Sequence, residues 1–256
     1  MFKKAIVRPP AENFADGLTT ASLGTPDFRL ALQQHGRYCE ALKQCGLALT
    51  WLEPDARYPD STFVEDAAVL TEHSAILTHP GAPSREGEVA AIGQTLRQFY
   101  TRFHTITPPG TLDGGDICEA GTHFFIGVSE RTNAEGARQL ADFLAGDGFT
   151  SSTVDIHGVP GILHLKSGIA YLGDNRLVLI DDLAGRPEFK GYEIVRMAPK
   201  ENYAANCVRV NDYVLLAAGY PRFEATLRKL GYQPLVLDMS EYQKMDGGLS
   251  CLSLRF

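Results

Sequence analysis

One cysteine, one histidine and several carboxylates stand in short polar segments that recur along the chain, and together these groups can carry nucleophilic and acid–base chemistry. Cys251 follows Gly247 and Gly248 in MDGGLSC, His164 lies in HLKSG, Asp113 and Asp116 in GTLDGGD, and Glu65 and Asp66 in DSTFVED. A thiol acting with an imidazole suits covalent catalysis, the imidazole moving protons for nucleophile and leaving group in turn. The two glycines before Cys251 let backbone and ligand approach closely. Taken singly, each residue also has a plainer reading. A cysteine at the head of a strand packs like a small hydrophobe, Asp-Gly is a common turn dipeptide, and a lone histidine is usually structural. That plainer reading is kept for Cys118 and Cys207 in alternating strand patterns, for Cys39 and Cys45 in the first helix, and for His35, His73, His79, His104, His123 and His157.

These residues fall at equivalent points of a repeat. Residues 63–78 read as two short strands around Thr71-Glu72-His73, followed by an amphipathic helix over 84–100 with Ser84 as its N-cap and a strand over 102–106. The order returns at 115–128, turning at Gly121, with a helix over 133–146 and a strand over 152–156. It returns again at 206–217, with a helix over 221–230 and a strand over 233–238. The unit at 168–181 turns at Gly173-Asp174-Asn175 and has little or no helix before a strand over 192–197. A fifth unit is divided between the ends: a strand over 4–7, a helix over 26–45 and a strand over 47–53, with residues 249–256 supplying the remaining strand, which Cys251 opens. Joining the two ends removes exposed strand edges, so the expected architecture is α/β, a single closed ring of five strand-strand-helix-strand units over 1–256. The polar junctions recur roughly 40 to 50 residues apart. In a closed ring they converge on the axis, and Asn206 falls among them.

With 256 residues, 44% hydrophobic and 21% charged, the composition is that of an ordinary globular protein. The net charge of −7 is spread without a basic stripe, which argues against a nucleic-acid partner and accords weakly with a cationic ligand. Five widely spaced cysteines form neither metal-site pairs nor a disulfide framework. No stretch approaches the roughly 20 apolar residues of a membrane span, and no leader pattern opens the chain, so a cytoplasmic location without membrane contact is expected.

The segments DSTFVED, GTLDGGD, SERTNAEGA, HLKSG and MDGGLSC, in that order and over essentially the full length, resemble dimethylarginine dimethylaminohydrolases of the guanidino-modifying superfamily, five-bladed α/β propellers. The resemblance implies hydrolysis of asymmetric dimethylarginine or monomethylarginine to citrulline and a methylamine through a covalent thiouronium on Cys251, with no metal or organic cofactor. It assigns His164 as acid/base, Asp113 as the carboxylate orienting it, and Asp116 as a second choice. It further assigns Glu65 and Asp66 to the substrate cation, Asp60 and Asp246 to further contacts, and Arg85 and Arg131 to the substrate carboxylate. The segment Leu18–Gly24, without periodicity and flanked by glycine, reads as a lid with Leu18 touching substrate. Two carboxylates suit a guanidinium, whose planar donors favour bidentate acceptors. An arginine near a helix N-terminus is poorly placed unless it serves an anion. Carboxylates near Cys251 would raise its pKa, so the arriving guanidinium is expected to supply the charge that ionises the thiol. Cys251 and His164 alone make an inhibitory rather than a structural zinc site. A deiminase acting on unmethylated arginine and a non-catalytic propeller binding protein remain open alternatives, and so does a homodimer.

Overall fold

The computed structural model describes all 256 residues, and every expected unit is present. Strand β1 (Lys4–Val7) pairs in parallel with β2 (Ala48–Trp51), helix α1 (Phe28–Gln44) intervening in sequence. Strands β3 (Ala68–Leu70), β4 (Ala75–Leu77) and β5 (Phe103–Thr105) form the next sheet, with α2 (Glu88–Leu96) before β5. Strands β6 (Ile117–Ala120), β7 (His123–Val128) and β8 (Thr150–Asp155) follow, with α3 (Ala134–Gly146) before β8. Strands β9 (Ile169–Gly173), β10 (Arg176–Leu179) and β11 (Glu193–Arg196) make the irregular sheet, whose connection holds only a 3-10 turn at Pro187–Phe189. Strands β12 (Val208–Val210), β13 (Tyr213–Ala217) and β14 (Gln233–Leu237) include α4 (Pro221–Lys229), and β15 (Leu254–Arg255) returns to lie antiparallel to β1. All five sheets share one topology: the first strand antiparallel to the second, the second parallel to the third.

Local chemistry accounts for the elements. Asp27 caps α1 by accepting the Leu30 N–H at 2.9 Å, and Asn133 caps α3 through the Gly136 N–H at 2.8 Å. The backbone reverses left-handed at Asp174 and Asn175 between β9 and β10, where short polar side chains tolerate positive φ. One apolar cluster packs Val69, Ile76, Ile117, Phe124 and Ile126 of two neighbouring sheets against Ala137, Leu140 and Leu144 of α3. Burial of each large side chain contributes roughly 1.5–3 kcal/mol.

Two expectations are corrected. The helix expected to start beyond a Ser84 cap begins instead at Glu88, because Pro83–Arg85 closes a 3-10 turn that ties Arg85 to Glu88. Cys251 does not open a strand: it lies in a 3-10 turn, Ser250–Leu252, that precedes β15. The same device stands before the first strand of the other sheets, at Val64–Ala67, Gly114–Asp116, Leu165–Ser167 and Pro199–Ala205. A 3-10 turn in place of a strand lets adjacent side chains leave the sheet's alternation, so neighbouring polar residues can face the same way.

The chain divides into two compact units. Residues 1–64 with 206–256 carry two of the sheets, and residues 65–205 carry three. Within each unit the junction turns are stitched side chain to backbone. Asp66 accepts the Gly115 N–H at 2.8 Å and Asp116 the Leu165 N–H at 2.9 Å in the second unit; in the first, Asn206 accepts the Ser250 N–H at 2.9 Å.

Candidate active site

In the 65–205 unit, His164 is buried, and its Nε2 lies 3.0 Å from Asp113 Oδ2. The other oxygen of Asp113 accepts the Gly81 N–H at 2.9 Å, so the carboxylate cannot turn away from the ring. Gly115 is required by close approach, since a Cβ there would stand 2.8 Å from both His164 Nδ1 and Asp66 Oδ1. Asp116, wholly buried, binds Ser129 Oγ at 2.7 Å as well as the Leu165 N–H, and Ser129 Oγ in turn accepts the N–H groups of Arg131 and Thr132. One carboxylate thereby ties the chain next to His164 to the segment bearing Arg131.

Burial alone would push the imidazole towards neutrality, but Asp66, the Asp113 hydrogen bond and Asp116 together outweigh it and hold His164 at about 9. For Asp66 burial again opposes charge. The cations of His164 and Arg85 and the Gly115 N–H prevail and lower its pKa. Burial dominates at Asp116 and raises it, against the pull of His164 and the hydrogen bonds from Ser129, Thr132 and Leu165. The imidazole is therefore protonated at neutral pH. Donor atoms of Asp66, Asp113 and His164 fall within 4.8 Å of one another, near enough for a cation. The charged imidazole and Arg85 already supply the positive charge these carboxylates face.

The remaining expected residues of this unit have definite partners. Asp66 Oδ2 meets Arg85 Nη1 at 2.5 Å, and Glu65 Oε1 meets Lys166 Nζ at 2.6 Å. Arg85 is buried, with Nε and Nη2 on the two oxygens of Glu88 at 3.0 and 2.7 Å. Arg131 is half-buried.

In the unit of residues 1–64 and 206–256, Cys251 is half-exposed, whereas the other four cysteines are buried. Burial lifts the thiols of Cys39 and Cys118 to about 12 and that of Cys45 to about 11, so none of these three is a nucleophile near neutral pH. The turn that carries Cys251 is clamped by Asn206, which accepts the Ser250 N–H and donates to Ser250 Oγ at 3.0 Å. A Cβ at Gly248 would stand 2.4 Å from Asn206 Oδ1, so this clamp depends on the glycine. Asp60 and Asp246 hold the Leu18 segment. Both oxygens of Asp60 receive the Leu18 N–H at 3.1 Å, and Asp246, itself at φ 55°, accepts from Thr20 N, Thr20 Oγ1 and Thr19 Oγ1. Leu18 itself is 42% exposed, a large apolar side chain offered outward.

Glu88, Lys166 and Ser129 hold the site residues without having been marked by the sequence pattern, and Asp116 and Asn206 hold more of the site than their place in that pattern implied. Glu88 was within reach of a simple rule, since it stands three residues after Arg85 on one face of a helical turn. The others carried no local signal, because their partners lie in remote segments.

No protein-family model matches the sequence. The chain is 48% identical to the N(G),N(G)-dimethylarginine dimethylaminohydrolase of Pseudomonas aeruginosa, over 100% of both chains. It is 34% identical to the protein of that name from Streptomyces coelicolor, over 99% of this chain and 96% of the other. A solved structure of the Pseudomonas protein, a cysteine-to-serine variant complexed with citrulline, matches with a TM-score of 0.97 at 47% identity, covering 100% of both chains. The N-terminal domain of the cyanobacterial arginine dihydrolase ArgZ, at 15% identity and a TM-score of 0.86, shares the fold. Five sheets of one topology and these relatives place the chain in the guanidino-modifying superfamily. Within it, the chain belongs to the dimethylarginine dimethylaminohydrolase family, hydrolases of C–N bonds in linear amidines.

Proposed function

We propose that this chain hydrolyses asymmetric dimethylarginine and monomethylarginine to citrulline and the corresponding methylamine, with Cys251 as nucleophile and His164 as acid and base. The observation that carries the reading is the buried His164–Asp113 pair, charged at neutral pH among carboxylates, in a chain with one accessible thiol. The guanidinium carbon is a poor electrophile, stabilised by resonance and cationic near neutral pH. Asp66, with Glu65, holds the cation and orients its carbon for the thiolate. Attack forms a C–S bond and a tetrahedral adduct. Transfer of the His164 proton to the departing nitrogen then breaks the C–N bond, releases the methylamine and leaves a thiouronium. Water, deprotonated by His164, attacks the same carbon; expulsion of the thiolate yields citrulline. The carboxylate of the substrate falls to Arg131; Arg85, the other arginine expected there, turns Nε and Nη2 to Glu88 and Nη1 to Asp66 and holds Asp66 instead. Leu18 covers the bound amino acid, Asp60 and Asp246 both anchoring its segment and meeting the substrate's polar end. No metal or organic cofactor takes part.

The architecture that suits this chemistry is one closed five-bladed α/β propeller spanning residues 1–256. Support comes from five sheets of identical topology, the sheet assembled from both chain ends, and the recurring turn-to-turn hydrogen bonds. A cytoplasmic setting accords with five cysteines that are all free thiols. No helix is long and apolar enough to cross a membrane. The test offers asymmetric dimethylarginine and arginine separately to the wild-type chain and to Cys251→Ser. Citrulline with dimethylamine from wild type alone supports the proposal. Turnover of arginine alone moves the reading to a deiminase, and turnover of neither leaves a binding protein.

A further inference from the structure

Arg85 is a buried cation paired with two carboxylates, and the one that grips it with both oxygens is a residue with no part in the scheme above. Glu88, the first residue of α2, is 4% exposed and takes the Nε and Nη2 edge of the guanidinium with both oxygens, at 3.0 and 2.7 Å. That fork leaves Nη1 aimed at Asp66 Oδ2, 2.5 Å away, while Asp66 Oδ1 is held by the Gly115 N–H. A guanidinium gripped on one edge by a bidentate carboxylate cannot rotate about its own axis, so the direction of its remaining N–H groups is set. Glu88 also stands in the first turn of α2, where the helix dipole favours a carboxylate.

We propose that Glu88 is a positioning residue for the hydrolysis: it fixes the Arg85 guanidinium, and through it the Asp66 carboxylate, in the orientation that the substrate cation and the His164 imidazole meet. The proposal rests on the functional reading above. Glu88 touches none of the reacting atoms and acts through Arg85. It also sets a charge balance. Arg85 faces Asp66, Glu88 and Asp113, whereas His164 faces Asp66, Asp113 and Asp116, with the Glu65–Lys166 pair close in sequence and neutral in sum. With Glu88 present, the Arg85 charge is shared among three carboxylates. Without it, more of that charge falls on Asp66 and Asp113, and these carboxylates hold the His164 proton less strongly.

The experiment compares wild type with Glu88→Gln and Glu88→Asp. The His164 ring is titrated by NMR in substrate-free protein, and kinetics with asymmetric dimethylarginine are measured on the same preparations. Glu88→Gln is expected to lower kcat/KM by about 10- to 100-fold and to move the His164 midpoint to lower pH. Glu88→Asp keeps the charge but is too short for the same fork, so its midpoint stays near the wild-type value while kcat/KM still falls. Folded Glu88→Gln with an unmoved midpoint overturns the proposal, whether activity is kept or lost, because Glu88 would then serve the fold alone. Failure of wild type to turn over methylated arginines would refute the functional reading instead, and the titration, which needs no substrate, would still decide the link from Glu88 to His164.

Discussion

Replacing His164 by glutamine should cost stability in a way that depends on pH with a defined sign. The folded chain holds the imidazole at about 9, against 6.5 for an exposed ring, with burial opposed by Asp66, Asp113 and Asp116. A raised pKa means that the folded state binds the proton more tightly than the unfolded one, a difference on the order of 3 kcal/mol here. That contribution is complete below pH 6.5, declines as the pH climbs towards 9, and is gone above it. In His164→Gln it is absent throughout. Urea unfolding at pH 6 and pH 10 isolates the effect, since other titrating groups are common to both proteins. The stability gap between wild type and variant should shrink by about 3 kcal/mol from the lower to the higher pH. A gap that stays constant, or widens with pH, would refute the account of His164 as an imidazolium held among carboxylates. The same charge predicts that kcat loses its proton donor, and falls, as the pH rises through about 9.

Gly115→Ala should fold yet lose roughly a hundredfold in kcat/KM, because a Cβ 2.8 Å from His164 Nδ1 displaces the ring; an unimpaired alanine variant would show that the close approach is not needed. Asp116→Asn keeps one acceptor but loses the charge that binds Ser129 Oγ and the Leu165 N–H. It should lower the His164 midpoint and raise KM through Arg131, and a variant changed in neither would deny Asp116 its linking part. Asp246→Ala removes the acceptor of Thr19 and Thr20 and should speed amide exchange across Leu18–Gly24 while raising KM; exchange at the wild-type rate there would remove Asp246 as an anchor. The guanidinium of the substrate is proposed to ionise Cys251, so the pH dependence of its alkylation should shift to lower pH when a cationic substrate analogue is bound. A low thiol pKa in the free protein would rule this out.

Much of the molecule was legible from residue order alone. Alternating apolar strands, amphipathic helices and turn residues at Gly121 and Gly173 to Asn175 define five units and the pairing of the two ends, because these signals are local and repeat in register. Cys251, His164 and the carboxylates at 65, 66 and 113 were marked by falling at equivalent points of that repeat. The pairing of side chains was not legible. Asp66 with Arg85, Glu65 with Lys166, Asp116 with Ser129, and Asp60 and Asp246 with the Leu18 segment each depend on which buried acceptor a donor reaches once the chain has folded. Nor was the 3-10 turn at each junction, which sets Cys251 ahead of β15 rather than within it. Periodicity encodes which face of an element is apolar. The partner of a buried charge is decided by competition among all the groups within hydrogen-bond reach, and only the tertiary structure brings those groups together.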